Sequence, residues 1–191
     1  MLFRSEKLGS PLVLKLLSNQ ISHKSDIGGV AVGLSWDAVE SRITEMSDAV
    51  FEAIGQRPEH YLLQEMVSGV ELILGMKKDA LGTAILLGMG GVTAELINDT
   101  QLQFLPATGG LNEAAALALV KSLKTWPLLD GYRGRPAADV AALVAAIVSF
   151  SNMVAQLGDR LVEAEINPLF VLTDGHGVRA ADGVAHLRAL V

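Results

Sequence analysis

The stretch YLLQEMVSGVELILGMKKDALGTAILLGMGG, residues 61–91, is the most informative part of the sequence for the fold. It contains three apolar runs of strand length, at 61–66, 70–77 and 83–87, and the breaks between them are short and contain serine, aspartate and glycine. Strands that follow one another with too few residues between them for a helix pair antiparallel. The stretch therefore predicts an α+β protein with largely antiparallel sheets.

Further elements are predicted on both sides of this stretch. The predicted strands lie at 12–17, 30–34, 92–97, 102–105, 161–166, 169–173 and 178–181. The first predicted helix lies at 36–54, with Ser35 as its N-cap and Gly55 at its end. The others run from Asn112, which opens the helix, to about 124, and over 140–158. The last helix is uncharged, but its polar and apolar residues form separate stripes, which is typical of an amphipathic helix rather than a membrane span. We expect one domain with two lobes, 1–60 and 61–191.

The composition limits the classes of function. Half of the 191 residues are hydrophobic, so the chain can bury one sizeable core or two small lobes. A net charge of −6 argues against a surface that neutralises nucleic-acid phosphates. The absence of cysteine excludes disulfides and thiolate metal sites, and the N-terminus lacks the apolar stretch of a signal peptide. We therefore expect a cytoplasmic protein with no nucleic-acid or membrane partner.

A glycine cluster, Gly88-Met-Gly-Gly91, follows the last strand of the opening stretch. Backbone N–H groups approach a phosphate closely only where side chains are absent, so the cluster is a candidate phosphate contact. Thr93 stands where a dinucleotide fingerprint needs its third glycine, and the sequence contains no P-loop motif. A glycine-rich turn between strands is the alternative that the sequence leaves open.

Basic residues and glycines occur in the first predicted strand and in the segment that joins it to the second. They are Lys15, His23, Lys24, Gly28 and Gly29. Two ammonium groups and a flexible glycine-containing loop suit a triphosphate, whose charge demands cations and N–H donors. A neutral imidazole is a competent phosphoryl acceptor, although a histidine in a loop is otherwise simply solvated.

Acidic and amide side chains cluster near the C-terminal end. Glu163, Glu165 and Asn167 are spaced by two in a predicted strand, so they point to the same face, and Asp182 follows the next predicted strand. Asn and Asp oxygens are hard ligands that suit Mg²⁺ together with phosphate oxygens. A solvated row of acids on an edge strand is the alternative.

Eight short segments occur in a recognisable order along nearly the whole chain. They are VLK (13–15), ISHKSDIGGV (21–30), QEM (64–66), GVELILG (69–75), GMGGV (88–92), GYRG (131–134), EINPL (165–169) and DG (182–183). In this order they resemble the ATP-grasp domain of the NDP-forming acyl-CoA synthetases. That family includes ADP-forming acetyl-CoA synthetase and, more distantly, the succinyl-CoA synthetase β subunit. The resemblance implies an ATP-grasp fold.

The resemblance also implies where ATP or ADP binds. Lys15 matches the lysine that holds the nucleotide phosphates, and the segment around Gly28 and Gly29 matches the flexible flap that closes over them. The segment Gln64-Glu65-Met66 matches the hinge whose backbone meets the adenine. Glu71 matches an acidic residue near the ribose.

The remaining implied residues concern phosphoryl transfer. Asn167 and Asp182 match the Mg²⁺ ligands, and Glu165 matches the acid that steadies the phosphohistidine exchange beside the metal. His23 matches the flap histidine thought to carry a phosphoryl group. The family usually has an aspartate where Glu165 stands. Glu165 keeps the negative charge, but its longer side chain changes how far the carboxylate reaches.

Family members carry a further helix and strand before the position of Lys15, so we expect the N-terminal part of the ATP-grasp domain to be truncated. The family's CoA-binding and ligase domains do not fit in 191 residues, and we expect them as partners, in the same enzyme or as another subunit. Whether the chain also pairs with copies of itself is left open.

Two functions follow from the resemblance. The first is the nucleotide-binding part of an acid-thiol ligase, transferring a phosphoryl group between ATP or ADP and a histidine during acyl-CoA formation or cleavage. The alternative is a non-catalytic, synthetase-like regulatory module of a protein lysine acetyltransferase.

Overall fold

The chain divides into two compact units, residues 1–67 and 68–191. The structure is a computed structural model that describes residues 8–18, 27–91 and 97–189. The sequence places the boundary between two lobes after residue 60, whereas the strand His60–Glu65 pairs with the strand Leu12–Leu17 along its whole length. This pairing keeps the strand in the first unit, so the boundary lies after Val67.

The first unit is an antiparallel sheet backed by one helix. Its strands β1 (Leu12–Leu17), β2 (Val30–Leu34) and β3 (His60–Glu65) lie in the order β2-β1-β3. The helix α1 (Val39–Ile54) supplies Met46 and Val50 to a small core that also contains residues of β1 and β2. The alternation of β1 follows from this packing, because every second residue is a buried leucine, and Leu14 and Leu16 share the core with α1.

The ends of α1 agree only in part with the sequence. Gly55 ends the helix as predicted, in the left-handed conformation with φ = 72°. Residues Trp36–Ala38 form a 3₁₀ turn before α1, and Ser35 makes no capping hydrogen bond with its side chain. The predicted serine cap is therefore wrong.

The second unit contains a larger antiparallel sheet. Its strands are β4 (Val70–Asp79), β5 (Gly82–Met89), β6 (Thr100–Phe104), β7 (Leu161–Val171), β8 (Val178–Ala180) and β9 (Gly183–Leu187). They lie in the order β6-β5-β4-β7-β8, and β9 pairs with the first half of β7. All these pairings are antiparallel, so the predicted α+β class is confirmed.

Helices cover one face of this sheet. They are α2 (Glu113–Lys121), α3 (Trp126–Leu129) and α4 (Val140–Leu157), and they share one core with Leu72 and Leu74 of β4. As predicted, the Asn112 side chain caps α2 by accepting a hydrogen bond from the Ala115 N–H at 2.8 Å. Among the described residues, α4 is the one helix with the length and apolar composition to cross a membrane, and its Leu143 is fully buried in this core.

The C-terminal strands differ from the prediction. Two strands, 161–166 and 169–173, were expected on either side of Pro168, but β7 is continuous. Proline is tolerated at position 168 because the regular pairing of β7 is interrupted there on both sides. The pairing of β7 with β4 shifts register at this point, and on its other side the neighbouring strand changes from β9 to β8. The strand β9 is not predicted by the sequence. The strand predicted at 92–97 lies outside the described residues except for Ile97.

Candidate functional site

In the first unit, two of the predicted nucleotide residues, Lys15 and Gln64, lie on the sheet face that α1 leaves uncovered. Lys15 alternates with the buried Leu14 and Leu16, so it projects away from α1 and is half-buried. Gln64 pairs with Val13, the residue two positions before Lys15. Lys15 and Gln64 therefore share one face of the sheet.

The hinge segment and the glycine pair are held to β1 by backbone hydrogen bonds. The Met66 N–H donates to the Pro11 carbonyl at 2.8 Å, and Glu65 pairs with Leu12. The Leu16 N–H donates to the Gly29 carbonyl at 2.8 Å, just after Gly28, whose φ of 73° favours glycine. His23 and Lys24 lie outside the described residues.

In the second unit, Glu71 of β4 contacts the glycine cluster. The Gly90 N–H donates to the Glu71 carbonyl at 2.8 Å, and a Cβ added to Gly90 would lie 3.1 Å from the Glu71 carbonyl carbon. A Cβ added to Gly91 would lie 3.1 Å from the Glu71 carboxylate oxygen Oε2. The last two glycines of the cluster are thus required by the close approach of this turn to Glu71, which favours the turn interpretation.

The acidic and amide residues near the C-terminus lie on β7 and in the turn before β9. The Asn167 amide nitrogen Nδ2 donates to Glu165 Oε1 at 3.1 Å, so these two side chains share a face, as their spacing predicts. The Asn167 N–H donates to the Asp182 carbonyl at 3.1 Å. Asp182 Oδ1 accepts a hydrogen bond from the Gly183 N–H at 2.9 Å, which fixes the carboxylate next to β9.

Glu165 lies beside a glycine of the neighbouring strand. Glu165 pairs with Gly75 of β4, and its Oε2 lies 3.8 Å from the position that a Gly75 Cβ would occupy. Leu72 and Leu74 point to the helices, so Glu71, Gly75 and Glu165 lie on the opposite face. The predicted ribose residue and the predicted metal-site acid thus share the face of this sheet without helices.

The donor atoms fit Mg²⁺ in kind. Because Asn167 Nδ2 is used as a donor, Oδ1 remains as its acceptor, and the second oxygen of the Asp182 carboxylate has no hydrogen bond within the described part of the chain. Oxygen donors of this type suit Mg²⁺, which keeps waters and takes phosphate oxygens as further ligands. Within residues 8–18, 27–91 and 97–189, no group of three or more His, Asp or Glu side chains could hold a metal alone.

The sequence interpretation assigned no role to a second region of this unit. Arg135 and His176 line a cavity of about 440 Å³ at the end of the β7–β8 hairpin. Arg135 also lines a neighbouring cavity of about 250 Å³ together with Glu71, Gly90 and Gly91. The signal available in the sequence was the segment GYRG at 131–134, which directly precedes Arg135.

The described sheets are antiparallel, with helices on one face and polar candidate ligands on the other. A comparison with known families agrees with the fold that the sequence implied. The model of a family described as ATP-grasp domain matches residues 3–187. The chain belongs to the ATP-grasp domain family.

The curated relatives are ADP-forming CoA ligases. The chain is 36% identical over 189 residues to 4-hydroxybutyrate–CoA ligase [ADP-forming] of Nitrosopumilus maritimus, covering 93% of this chain but 25% of that protein. It is 31% identical over 185 residues to the acetate–CoA ligase [ADP-forming] II subunit beta of Pyrococcus furiosus, covering 93% of this chain and 75% of that subunit. The chain thus spans a quarter of the first relative and three quarters of the second.

A solved structure supports the same fold. The dinucleotide forming acetyl-coenzyme A synthetase 1 of Ca. Korarchaeum cryptofilum superposes with a TM-score of 0.75 at 30% sequence identity, covering 94% of this chain and 78% of that chain. That protein was solved in complex with coenzyme A and Mg-AMPPCP, with its phosphohistidine segment pointing towards the nucleotide binding site. The ATP-grasp fold implied by the sequence is confirmed.

Proposed function

We propose that this chain is the nucleotide-binding part of an NDP-forming acyl-CoA synthetase and transfers a phosphoryl group between ATP or ADP and a histidine. The observation that carries the proposal is the side-chain hydrogen bond between Glu165 and Asn167 on the helix-free sheet face, with the backbone carbonyl of Asp182 bonded to the Asn167 N–H. The order of the matching segments and the names of the relatives support the reaction class.

Both units contain residues that the resemblance assigns to the nucleotide. In the first unit, the ammonium group of Lys15 binds phosphate oxygens, and the segment Gln64-Glu65-Met66 contacts the adenine. The Met66 N–H is already bonded to Pro11, so it is not the hinge donor to the base. In the second unit, Glu71 accepts hydrogen bonds from the ribose hydroxyls, because a carboxylate is an acceptor of sugar O–H groups.

Asn167 Oδ1 and the Asp182 carboxylate would hold Mg²⁺. Bound there, the ion supplies positive charge that neutralises the phosphate oxygens during transfer. Glu165 orients the Asn167 amide through its hydrogen bond, so that Oδ1 is presented as the ligand atom. The bound Mg-AMPPCP of the Ca. Korarchaeum cryptofilum protein supports this assignment.

His23 is the proposed acceptor of the phosphoryl group. A nitrogen of its imidazole attacks the terminal phosphorus of ATP, a P–N bond forms, and the bond from phosphorus to the bridging oxygen breaks to release ADP. Lys15 balances the negative charge that develops on the departing oxygen. CoA-binding and ligase domains, in the same enzyme or as another subunit, carry out the steps that form or cleave acyl-CoA.

Thermal denaturation tests the nucleotide site. MgATP should raise the Tm of the wild-type chain by several degrees at saturating concentration, and Asp182→Ala should abolish this shift. Asp174→Ala is the matched control, since Asp174 lies exposed in the hairpin before β8 and should leave the shift intact. Equal stabilisation of the wild type and Asp182→Ala would show that the metal assignment is wrong.

Labelling tests the proposed acceptor separately. The chain incubated with MgATP labelled in the γ-phosphate should gain an acid-labile, base-stable label that His23→Asn removes. His60→Asn is the control, because His60 begins β3 and is exposed. A label that survives in His23→Asn would assign the transfer to another residue without affecting the nucleotide site.

A further inference from the structure

The segment GYRG is a strained turn that places Arg135. Gly131 and Gly134 have φ values of 93° and 77°, and Arg133 adopts φ = 54°, which is unfavourable for a side chain of this size. The Arg133 guanidinium lies over the Tyr132 ring at 5.2 Å. The chain leaves this turn at Arg135, which is extended and exposed. None of the functions proposed above uses this turn.

The segment after the turn is fastened to the β7–β8 hairpin. The Asp139 N–H donates to the Leu172 carbonyl at 2.8 Å, and the Asp174 N–H donates to the Ala137 carbonyl at 2.9 Å. The buried Asp139 carboxylate also accepts the Gly177 N–H at 2.8 Å. These bonds hold residues 135–139 and 172–177 together, so Arg135 and His176 are carried by one rigid framework.

The cavity between these segments has a basic lining. Its polar side chains are those of Arg135, His176, Ser68 and Thr173, and no acidic side chain of the described residues lines it. This is unusual in a chain with a net charge of −6. The Asp139 carboxylate outside the lining interacts electrostatically with His176, so Arg135 is the basic group of this cavity that no described carboxylate pairs with, and it attracts anions.

The basic groups are available for a ligand. The Arg135 guanidinium forms neither an ion pair nor a side-chain hydrogen bond with another residue in the part of the chain that the structure describes. His176 Nδ1 lies 3.2 Å from Thr173 Oγ1 and 3.1 Å from the Asp174 carbonyl, and both are contacts within the hairpin. Because the Asp174 carbonyl oxygen only accepts, this contact places a proton on Nδ1, and the other ring nitrogen, Nε2, donates to a bound anion in the imidazolium form of the ring.

We propose that Arg135 and His176 form a binding site for a phosphate group, next to the cavity that Arg135 lines together with Glu71, the residue assigned to the ribose. A guanidinium binds phosphate through two parallel hydrogen bonds, the Nε2–H of a His176 imidazolium adds a third donor, and the hydroxyls of Ser68 and Thr173 complete the set. The ligand is inorganic phosphate or a phosphate monoester, which share the same dianionic head. Lys15, Glu165, Asn167 and Asp182 do not line this cavity.

Titration of the full chain tests this site. Inorganic phosphate added at constant ionic strength and neutral pH should shift the imidazole NMR signals of His176 saturably, and Arg135→Ala should weaken the affinity about tenfold. Arg135→Lys should recover only part of the affinity, because an ammonium lacks the paired donors. Arg160→Ala is the matched control, since Arg160 is exposed in the same unit and outside the cavity.

A second series distinguishes the sources of the phosphate. Tighter binding of phenyl phosphate than of inorganic phosphate would support a monoester ligand, and the reverse order would support the free anion. Equal binding of acetate, or a phosphate affinity unchanged in Arg135→Ala, would overturn the proposal. Calorimetry with His176→Gln provides a readout that does not depend on the histidine signal. The phosphate titration is independent of MgATP binding, which the thermal shift of Asp182→Ala tests separately.

Discussion

The side-chain amide of Asn167 donates a hydrogen bond to the carboxylate of Glu165 over 3.1 Å. An amide held in this way has a defined orientation, with Nδ2 towards Glu165 and Oδ1 left as an acceptor. Gly75 on the neighbouring strand pairs with Glu165. The orientation of one candidate metal ligand thus depends on a residue that need not bind the metal itself.

Replacement of Glu165 tests this positioning role. Glu165→Ala should weaken MgATP binding about tenfold in calorimetry, because a free amide must be ordered on binding, whereas binding of ATP without Mg²⁺ should change little. Glu165→Gln should recover most of the loss, since its carbonyl still accepts from Asn167. Glu163→Ala is the control on the same strand, where Glu163 pairs with His186 at 3.0 Å. An equal loss in that control would indicate a general charge effect instead.

The regular parts of the fold were predictable because local periodicity and local caps agree with the tertiary packing. The strands β1 and β2 have the predicted bounds, and α4 ends one residue before its predicted end, where Gly158 follows. In each case the residues that form the element also determine which face it buries.

The C-terminal strands were harder to predict, since their continuity depends on distant partners. Pro168 indicates a break locally, but it sits where β4 shifts register and β8 replaces β9 as the neighbour. The strand β9 has no alternating burial, because all its residues are exposed, so no periodic signal marks it. Arg135 and His176 are 41 positions apart, and only the folded hairpin brings them to one cavity.

A buried serine links α4 to the chain before α2. The Ser151 hydroxyl accepts the Leu111 N–H at 2.8 Å and donates to the Val148 carbonyl at 2.9 Å. Ser151→Ala should lower the free energy of unfolding by about 1–3 kcal/mol in urea denaturation, because the Leu111 N–H loses its acceptor. Ser149→Ala, on the exposed face of the same helix, should change it by less than about 0.5 kcal/mol. Similar effects of the two substitutions would contradict the assigned role of Ser151.

Asp139 should make stability depend on pH. Hydrogen bonds from the Ala142 and Gly177 N–H groups lower the pKa of the Asp139 carboxyl below its ordinary value. A lowered native pKa adds stability above the unfolded-state pKa of about 3.9, and this contribution is lost as the pH falls from about 5 towards the native pKa. The Tm difference between wild type and Asp139→Asn should therefore shrink between pH 6 and pH 3, as a thermal series can measure. The exposed Asp174→Asn should show no such change, and a constant Tm difference for Asp139→Asn would exclude the mechanism.

Gly69 is required where β4 begins beside the end of β7. A Cβ at this position would lie 2.5 Å from the Val171 carbonyl oxygen and 3.0 Å from its carbon, which are backbone atoms that cannot rotate away. Gly69→Ala should therefore separate the pair Val70 and Val171 and lower the free energy of unfolding by about 1–3 kcal/mol. Gly9→Ala is the control, because nothing lies within 4 Å of its added Cβ. Unchanged stability of Gly69→Ala would show that the strands tolerate the added methyl group. Since Gly69 also lines the cavity proposed to bind phosphate, Gly69→Ala should weaken phosphate binding as well.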